Sequence, residues 1–305
     1  MTGRERARPR GRAPMGARRS DASVAERLAN RLRQAREAAV DARERRLVDR
    51  LSACFADDSW VLGRRPGSAE RLAELLDGER VDTRLVARVV GRDAELTLRV
   101  LGLATPGAPR PLEQVVRELG PDVLWRVGVY DAASEPAWSA PGHETRRLQA
   151  VALITSSLAS YLAPAQKGLA EQAGLLVDVG TLAVLRWATP ADREDLCEPV
   201  SVARVARALH PASSAMVALA RGMRPEVVLV LAHASGRGQA PVEVAAVARA
   251  VGAAHVMARH ACEVDQRSSS ELSDELRFLG VSAGDRQRLQ YMGERARDRV
   301  ADLLD

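Results

Sequence analysis

EQAGLLVDVGTLAVL, residues 171–185, decides how this chain folds. After Gln172 it runs through Leu175, Leu176, Val177, Val179, Leu182, Val184 and Leu185, with Asp178 as its single ionisable residue. A run so strongly apolar, and longer than an ordinary strand, reads as part of a buried helix over 168–187. A second apolar run, EVVLVLAH at 226–233, is rich in β-branched residues and shows no helical period, so it is the one place where a strand could be argued. Pro225 stands at its start and nothing elsewhere in the chain offers a partner strand. It too reads as a buried helix, and the fold class is all-α.

Outward from this core the chain is punctuated into short helices. Leu72, Leu75 and Leu76 form one apolar stripe, and Asp82 caps a helix over Leu85, Val86, Val89 and Val90 that stops at Gly91. Asp93 caps the next, through Leu96, Val100 and Leu101. After the loop TPGAPRP, Pro111 opens a helix with Leu112, Val115, Val116 and Leu119 inward, and Gly120 closes it. Pro121 begins another at once, with Val123, Leu124 and Val127 inward. A loop with Pro136 and Pro141 leads to a second half with longer elements. These are a helix over Leu148, Val151, Thr155, Leu158 and Leu162 ended by Pro164, the core run, a helix capped by Ser201, one opened by Pro211, and one after Pro241 through Val244, Val247, Val251 and Ala254. Residues 270–304 predict two more, the last carrying Leu289, Met292, Ala296 and Val300. No period of 20–50 residues recurs, which argues against a solenoid.

Charge is concentrated at one end. Residues 1–20 hold seven arginines against Glu5, a net +6, while the whole chain carries +5, so the remainder sums to −1. The segment 1–20 reads as a disordered Arg-rich arm. Residues 21–58 read as a long charged amphipathic helix with Val24, Leu28, Leu32, Ala35, Ala39 and Ala42 on a thin seam that could pair with another chain but is expected to pack on the core of its own. Residues 59–262 form the main domain and 263–305 a C-terminal helical extension. Lys167 is the only lysine among 45 basic residues, a bias expected of a GC-rich bacterial genome. No run approaches about 18 uninterrupted apolar residues and the N-terminus has no apolar signal region, so a cytoplasmic protein without membrane contact is expected. Cys54, Cys197 and Cys262 form no C-x-x-C spacing and read as small buried hydrophobes.

The passages AERLAELL, GRDAELTLRVLGLA and PRPLEQVVRELGPDVLWRVGV, followed by EQAGLLVDVGTLAVL, resemble in their order and spacing the HDOD family, relatives of HD-type metal phosphohydrolases. Asp93, Leu96, Leu98, Leu101, Pro111, Leu112, Val116, Leu119 and Gly120 stand at matching places, over roughly residues 60–262. Relatives that keep the HD dipeptide read A-G-L-L-H-D-I-G where this chain has AGLLVDVG. The loop TPGAP at 105–109 departs from the pattern, in which an Asn-Ser followed by an aromatic residue is frequent.

The resemblance implies where metal ligands would stand. Arg147 occupies the first histidine's place, Val177 replaces the histidine of the dipeptide and leaves Asp178, His210 and His233 stand near two later ligand places, and Val251 falls at the final aspartate's. A divalent ion needs donors at such places to lower the pKa of a water and hold phosphate oxygens, so neither a metal, a cofactor nor catalysis is expected. Asp178 is then expected to pair with Arg147 or with backbone, and the histidines to pack as neutral, hydrogen-bonded rings. A vestigial metal or small-ligand site of Asp178, His210 and His233, with His143 one turn before Arg147, is the alternative. His255 and His260, five residues apart on one helix, do not share a face. No G-x-S-x-G elbow, phosphate-binding G-x-x-x-x-G-K-[ST] loop or dinucleotide G-x-G-x-x-G is present, and ASGRGQ at 234–239 reads as a connection. Trp60, Trp125, Trp138 and Trp187 are dispersed and offer no stacking platform; Trp125 and Trp187 read as core anchors.

The resemblance thus implies a non-catalytic regulatory scaffold with protein partners in a signalling pathway. A residual metal-dependent phosphohydrolase acting on a nucleotide, and a nucleic-acid-associated regulator using weak nonspecific contacts of the arm, are the other two readings.

Overall fold

A computed structural model of the chain describes residues 15–57, 62, 65–78, 80–104, 107–130, 143–188, 199–235, 240–264 and 268–301; among these there is helix and no strand. The N-terminal segment is two helices, α1 (Met15–Glu37) and α2 (Ala42–Ala56). Four more make the first half of the main domain: α3 (Ser68–Leu76), α4 (Thr83–Gly91), α5 (Ala94–Gly102) and α6 (Leu112–Trp125), with a π-helical turn at Arg126–Tyr130. The second half comprises α7 (His143–Leu162), a 3₁₀ turn at Pro164–Gln166, α8 (Lys167–Leu175), α9 (Val179–Ala188), α10 (Pro199–Leu209), α11 (Ala212–Ala220), α12 (Pro225–His233) and α13 (Val242–Ala261). The chain then adds α14 (Ser269–Phe278) and α15 (Ala283–Arg299).

Much of the punctuation acts as its chemistry requires. Asp82 accepts from the backbone N–H groups of Arg84 and Leu85, and Asp93 from that of Leu96, each satisfying donors that the first helical turn leaves open. Gly120 has φ 73°, a left-handed conformation that interrupts α6 ahead of Pro121. The segment 226–233 is helical, with Val227, Val228, Val230 and Leu231 buried.

Several expectations are corrected. The segment 21–58 is a hairpin of two helices, because Asp41 caps α2 by accepting from Glu44 N–H at 2.8 Å while Glu44 accepts from Val40 N–H at 2.8 Å. Helix α1 begins at Met15, inside the segment expected to be disordered; residues 1–14 lie outside those described. Burial of Val24, Leu28, Leu32 and Ala35 anchors the helix, and Ala and Arg extend it at little cost. This seam packs within its own chain, on α10, α11 and α12. Ser201 is not a cap, since α10 starts at Pro199, a residue suited to a first helical position. Beyond the Gly120 kink only Leu124 turns fully inward. Val123 and Trp125 are exposed, the indole N–H of Trp125 donating to Asp77 Oδ1 at 3.2 Å, while Trp187 is half-buried against the core. Cys54 and Cys262 are buried; Cys197, Trp60, Trp138, Pro136 and Pro141 lie outside the described residues.

The largest correction concerns the core run. It is two helices, α8 and α9, parted by a turn at 176–178. Within Pro164–Ala188 an 18-residue window has the mean hydropathy, 1.4, of a membrane span, yet 94% of that window is buried within the fold, as in the core helix of a globule. Helix α8 joins the two halves. Glu171 accepts from Leu112 N–H at the start of α6 at 2.7 Å, and the Gln172 amide donates to the Arg110 carbonyl at 2.7 Å. Buried Glu95 on α5 adds a second tie, reached by Arg99 at 3.0 Å and by Arg221, after α11, at 3.1 Å.

Helix α9 lies backbone-to-backbone against α11: a Cβ at Gly180 would stand 2.2 Å from the Ser214 nitrogen and 2.3 Å from the Ser213 carbonyl carbon. Backbone cannot yield as a side-chain tip can. Gly180→Ala is therefore expected to lower stability by about 3 kcal/mol in urea unfolding. Gly284→Ala, in α15 with open space around it, is expected to leave stability unchanged or raise it by up to about 1 kcal/mol.

Candidate functional site

The turn between α8 and α9 frees a carbonyl and turns a carboxylate inward. The Val177 carbonyl, outside any continuous helical ladder, accepts from the Ser214 hydroxyl at 2.6 Å and from His210 Nε2 at 3.1 Å. Gly180 N–H donates in turn to Ser214 Oγ at 3.0 Å, so α11 closes the gap from the side. Asp178 opens α9, its carbonyl accepting from Leu182 N–H at 2.9 Å, and its side chain is 1% exposed. His255 on α13 donates from Nε2 to Asp178 Oδ2 at 2.9 Å. The other oxygen, Oδ1, has no hydrogen-bond partner among the described residues; Arg259 Nη1 stands 3.8 Å away and His210 Nε2 3.9 Å. The His210 and His255 rings lie 4.9 Å apart.

Burial by itself would raise the Asp178 carboxyl, but the adjoining His255 imidazole, with His210 and Arg259, holds it well below the usual carboxylate range. His210 is pushed down to about 3, first by burial and then by the charges of His255 and Arg259, which outweigh Asp178. It is a neutral ring at physiological pH, donating to a carbonyl.

The structure separates the residues expected at this site. Asp178 and His210 are together, and His255 joins them. Arg147 is not the partner of Asp178: it is half-buried on α7, and its charge is felt at Cys262, whose thiol burial pushes up to about 11. Arg259 takes that part. His255 and Arg259 are four residues apart on α13, hence on one face, and both reach the carboxylate. The sequence carries no local signal for His255, because its partner Asp178 lies 77 positions away. His233, at the end of α12, is buried, its Nδ1 without a hydrogen-bond partner among the described residues, lowered in pKa by burial and by Arg27, and it is not a member of the cluster. Val177 and Val251 are buried, Val251 one turn before His255. The His143 side chain lies outside what is described.

One donor atom from each of Asp178, His210 and His255 lies within 4.8 Å of the others, a spacing a metal ion could bridge. Their hydrogen bonds do not fit one. The His255 nitrogen is spent on the carboxylate, the His210 nitrogen is spent on the Val177 carbonyl, and a guanidinium stands 3.8 Å from the remaining oxygen. A divalent ion would have to displace both imidazole bonds beside a fixed positive charge. Above the cluster opens a cavity of about 460 Å³, with His210, His255 and Arg259 in its wall.

No known family model matches this sequence, and no curated protein does. Solved structures do. The MmoQ response regulator of Methylococcus capsulatus superposes with a TM-score of 0.55 at 19% identity, over 75% of this chain and 97% of its own. A fragment of that protein gives 0.53 at 19% identity, over 75% and 94%. A provisionally assigned metal-dependent phosphohydrolase of Shewanella amazonensis gives 0.48 at 17% identity, over 87% and 100%. At such identities the likeness to MmoQ is one of fold, and it agrees with the HDOD-type, all-α architecture that the sequence resemblance implied.

Removing Asp178 leaves the buried His255 imidazole without its acceptor and the half-buried Arg259 guanidinium without its counter-charge. Asp178→Ala is expected to destabilise the fold by about 3–5 kcal/mol in denaturant unfolding. The pH profile carries two signatures. His210 binds a proton near 6.5 when unfolded and near 3 when folded, so its contribution to stability falls as pH drops through that interval. Asp178, lowered from 3.8, contributes stability that is complete above about pH 4 and lost below it. His210→Gln is expected to flatten the first limb and only to reduce the second, because His255 and Arg259 still hold Asp178 low.

Proposed function

We propose that this protein is a non-catalytic bacterial regulator that acts in the cytoplasm as a scaffold for protein partners in a signalling pathway. The observation that carries this reading is the pairing of Asp178. The carboxylate that the HDOD resemblance places among metal ligands is met here by a hydrogen bond from His255 and by the Arg259 guanidinium, so a chain-borne positive charge stands where a cation would. The fold shared with a protein named a response regulator supports a place in signal transduction. The Arg-rich segment 1–20 adds weak nonspecific contact with nucleic acid, sensitive to salt.

A residual metal phosphohydrolase is the competing reading, favoured by the clustering of Asp178, His210 and His255 within 4.8 Å. The two differ in a measurable way. The purified protein is expected to contain no stoichiometric metal in elemental analysis and to leave phosphate esters and cyclic dinucleotides intact. About one manganese or iron per chain, with turnover abolished by Asp178→Ala at unchanged stability, would overturn the scaffold reading.

A further inference from the structure

The cavity above the Asp178 cluster is walled by four arginines drawn from three helices: Arg31 of α1, Arg204 and Arg207 of α10, and Arg259 of α13. Two carboxylates, Glu144 of α7 and Glu275 of α14, also reach it. Arg204 is already engaged, clamping Glu44 through two hydrogen bonds of 2.8 and 2.9 Å. Arg259 stands 3.8 Å from Asp178 without a hydrogen bond to it. Arg31 and Arg207 have no ion pair or hydrogen bond among the described residues. Arg31 is half-buried in the cavity wall.

We infer that this cavity is a binding site for a small phosphate-bearing ligand, held between Arg31, Arg207 and Arg259. About 460 Å³ lies within the range of small-molecule sites and is far too confined for a nucleic-acid duplex. Guanidinium forks bind phosphate oxygens two at a time, and forks arriving from separate helices suit a group with several charged oxygens better than a single carboxylate. His210 and His255 bound the site with imidazoles, and His210, being neutral, neither repels nor neutralises the ligand. Two of the elements that line the cavity, α1 and α14, lie outside the segment that resembles the HDOD family. A phosphate seated between Arg31 and Arg259 bridges the N-terminal hairpin to the main domain, so occupancy tightens α1 on α10 and α13. That is how a small molecule would reach the surfaces through which a scaffold acts.

The test is calorimetric titration of the full-length protein at low salt with pyrophosphate and with ADP as probes, and adenosine as the uncharged comparison. Both phosphates are expected to bind one per chain and adenosine not to bind. The double variant Arg31→Gln/Arg207→Gln is expected to weaken binding at least about tenfold, the scale of one charged hydrogen bond. Replacing Arg4, Arg6, Arg8, Arg10 and Arg12 together by Gln is expected to change affinity less than about twofold. Should the double variant melt early, exposed Arg207→Gln alone serves, with the same direction expected. No binding of either phosphate at millimolar concentration overturns the inference, as does binding that survives the cavity variant and vanishes with the arm variant. The outcome is separable from the scaffold reading: bound ADP that is also hydrolysed removes the scaffold and keeps the site, whereas no binding and no hydrolysis does the reverse.

Discussion

A carboxylate 1% exposed in the middle of an apolar helical bundle cannot be left to itself, because desolvating an unpaired charge costs several kcal/mol even after relaxation. The geometry around Asp178 follows from that constraint. Helices α8 and α9 part at residues 176–178, which turns the side chain toward α13. The same break exposes the Val177 carbonyl, and Ser214 and His210 take it up. Ser214 can come so close only because position 180 has no Cβ. His255 and Arg259, one turn apart on α13, then supply a hydrogen bond and a counter-charge. The pieces depend on one another: with the break but no partners, a carbonyl and a carboxylate would be stranded in the core.

The same network occupies the donor atoms of a cluster that has the composition of a metal site. Imidazole nitrogens bind a metal through lone pairs, and here the two that face Asp178 point hydrogens at oxygens. Arg259 differs from a metal in a useful respect. It is a permanent charge on the chain, so the fold does not depend on the supply of an ion.

How much of this could be read in advance varies with the range of the interaction. Asp82, Gly120 and the capping oxygen of Asp93 act on backbone within three or four residues of themselves, and those roles were legible in the sequence, whereas the bond from Arg65 N–H to the other Asp93 oxygen, across 28 positions, was not. Trp125 illustrates the opposite case. Its neighbours suggested a core anchor, yet the kink at Gly120 rotates the following turn and leaves the ring exposed at 38%. The long N-terminal helix was expected to continue where Asp41 in fact begins a new one. Its partner Glu44 is held by Arg204, 160 positions away, and no local pattern reports that bond.

What the sequence determined by itself was the all-α class and the order of most helices. Each rests on periodicity or on the identity of one residue, both of which are local. What only the tertiary structure decided was who meets Asp178. Arg147 was the expected partner because it stands at a ligand's place along the chain, but a charge in the core is matched by whatever the packing brings within a few ångströms. That was set by the angle at which α13 crosses the turn between α8 and α9, which brings His255 and Arg259 to the carboxylate and leaves Arg147 beside Cys262.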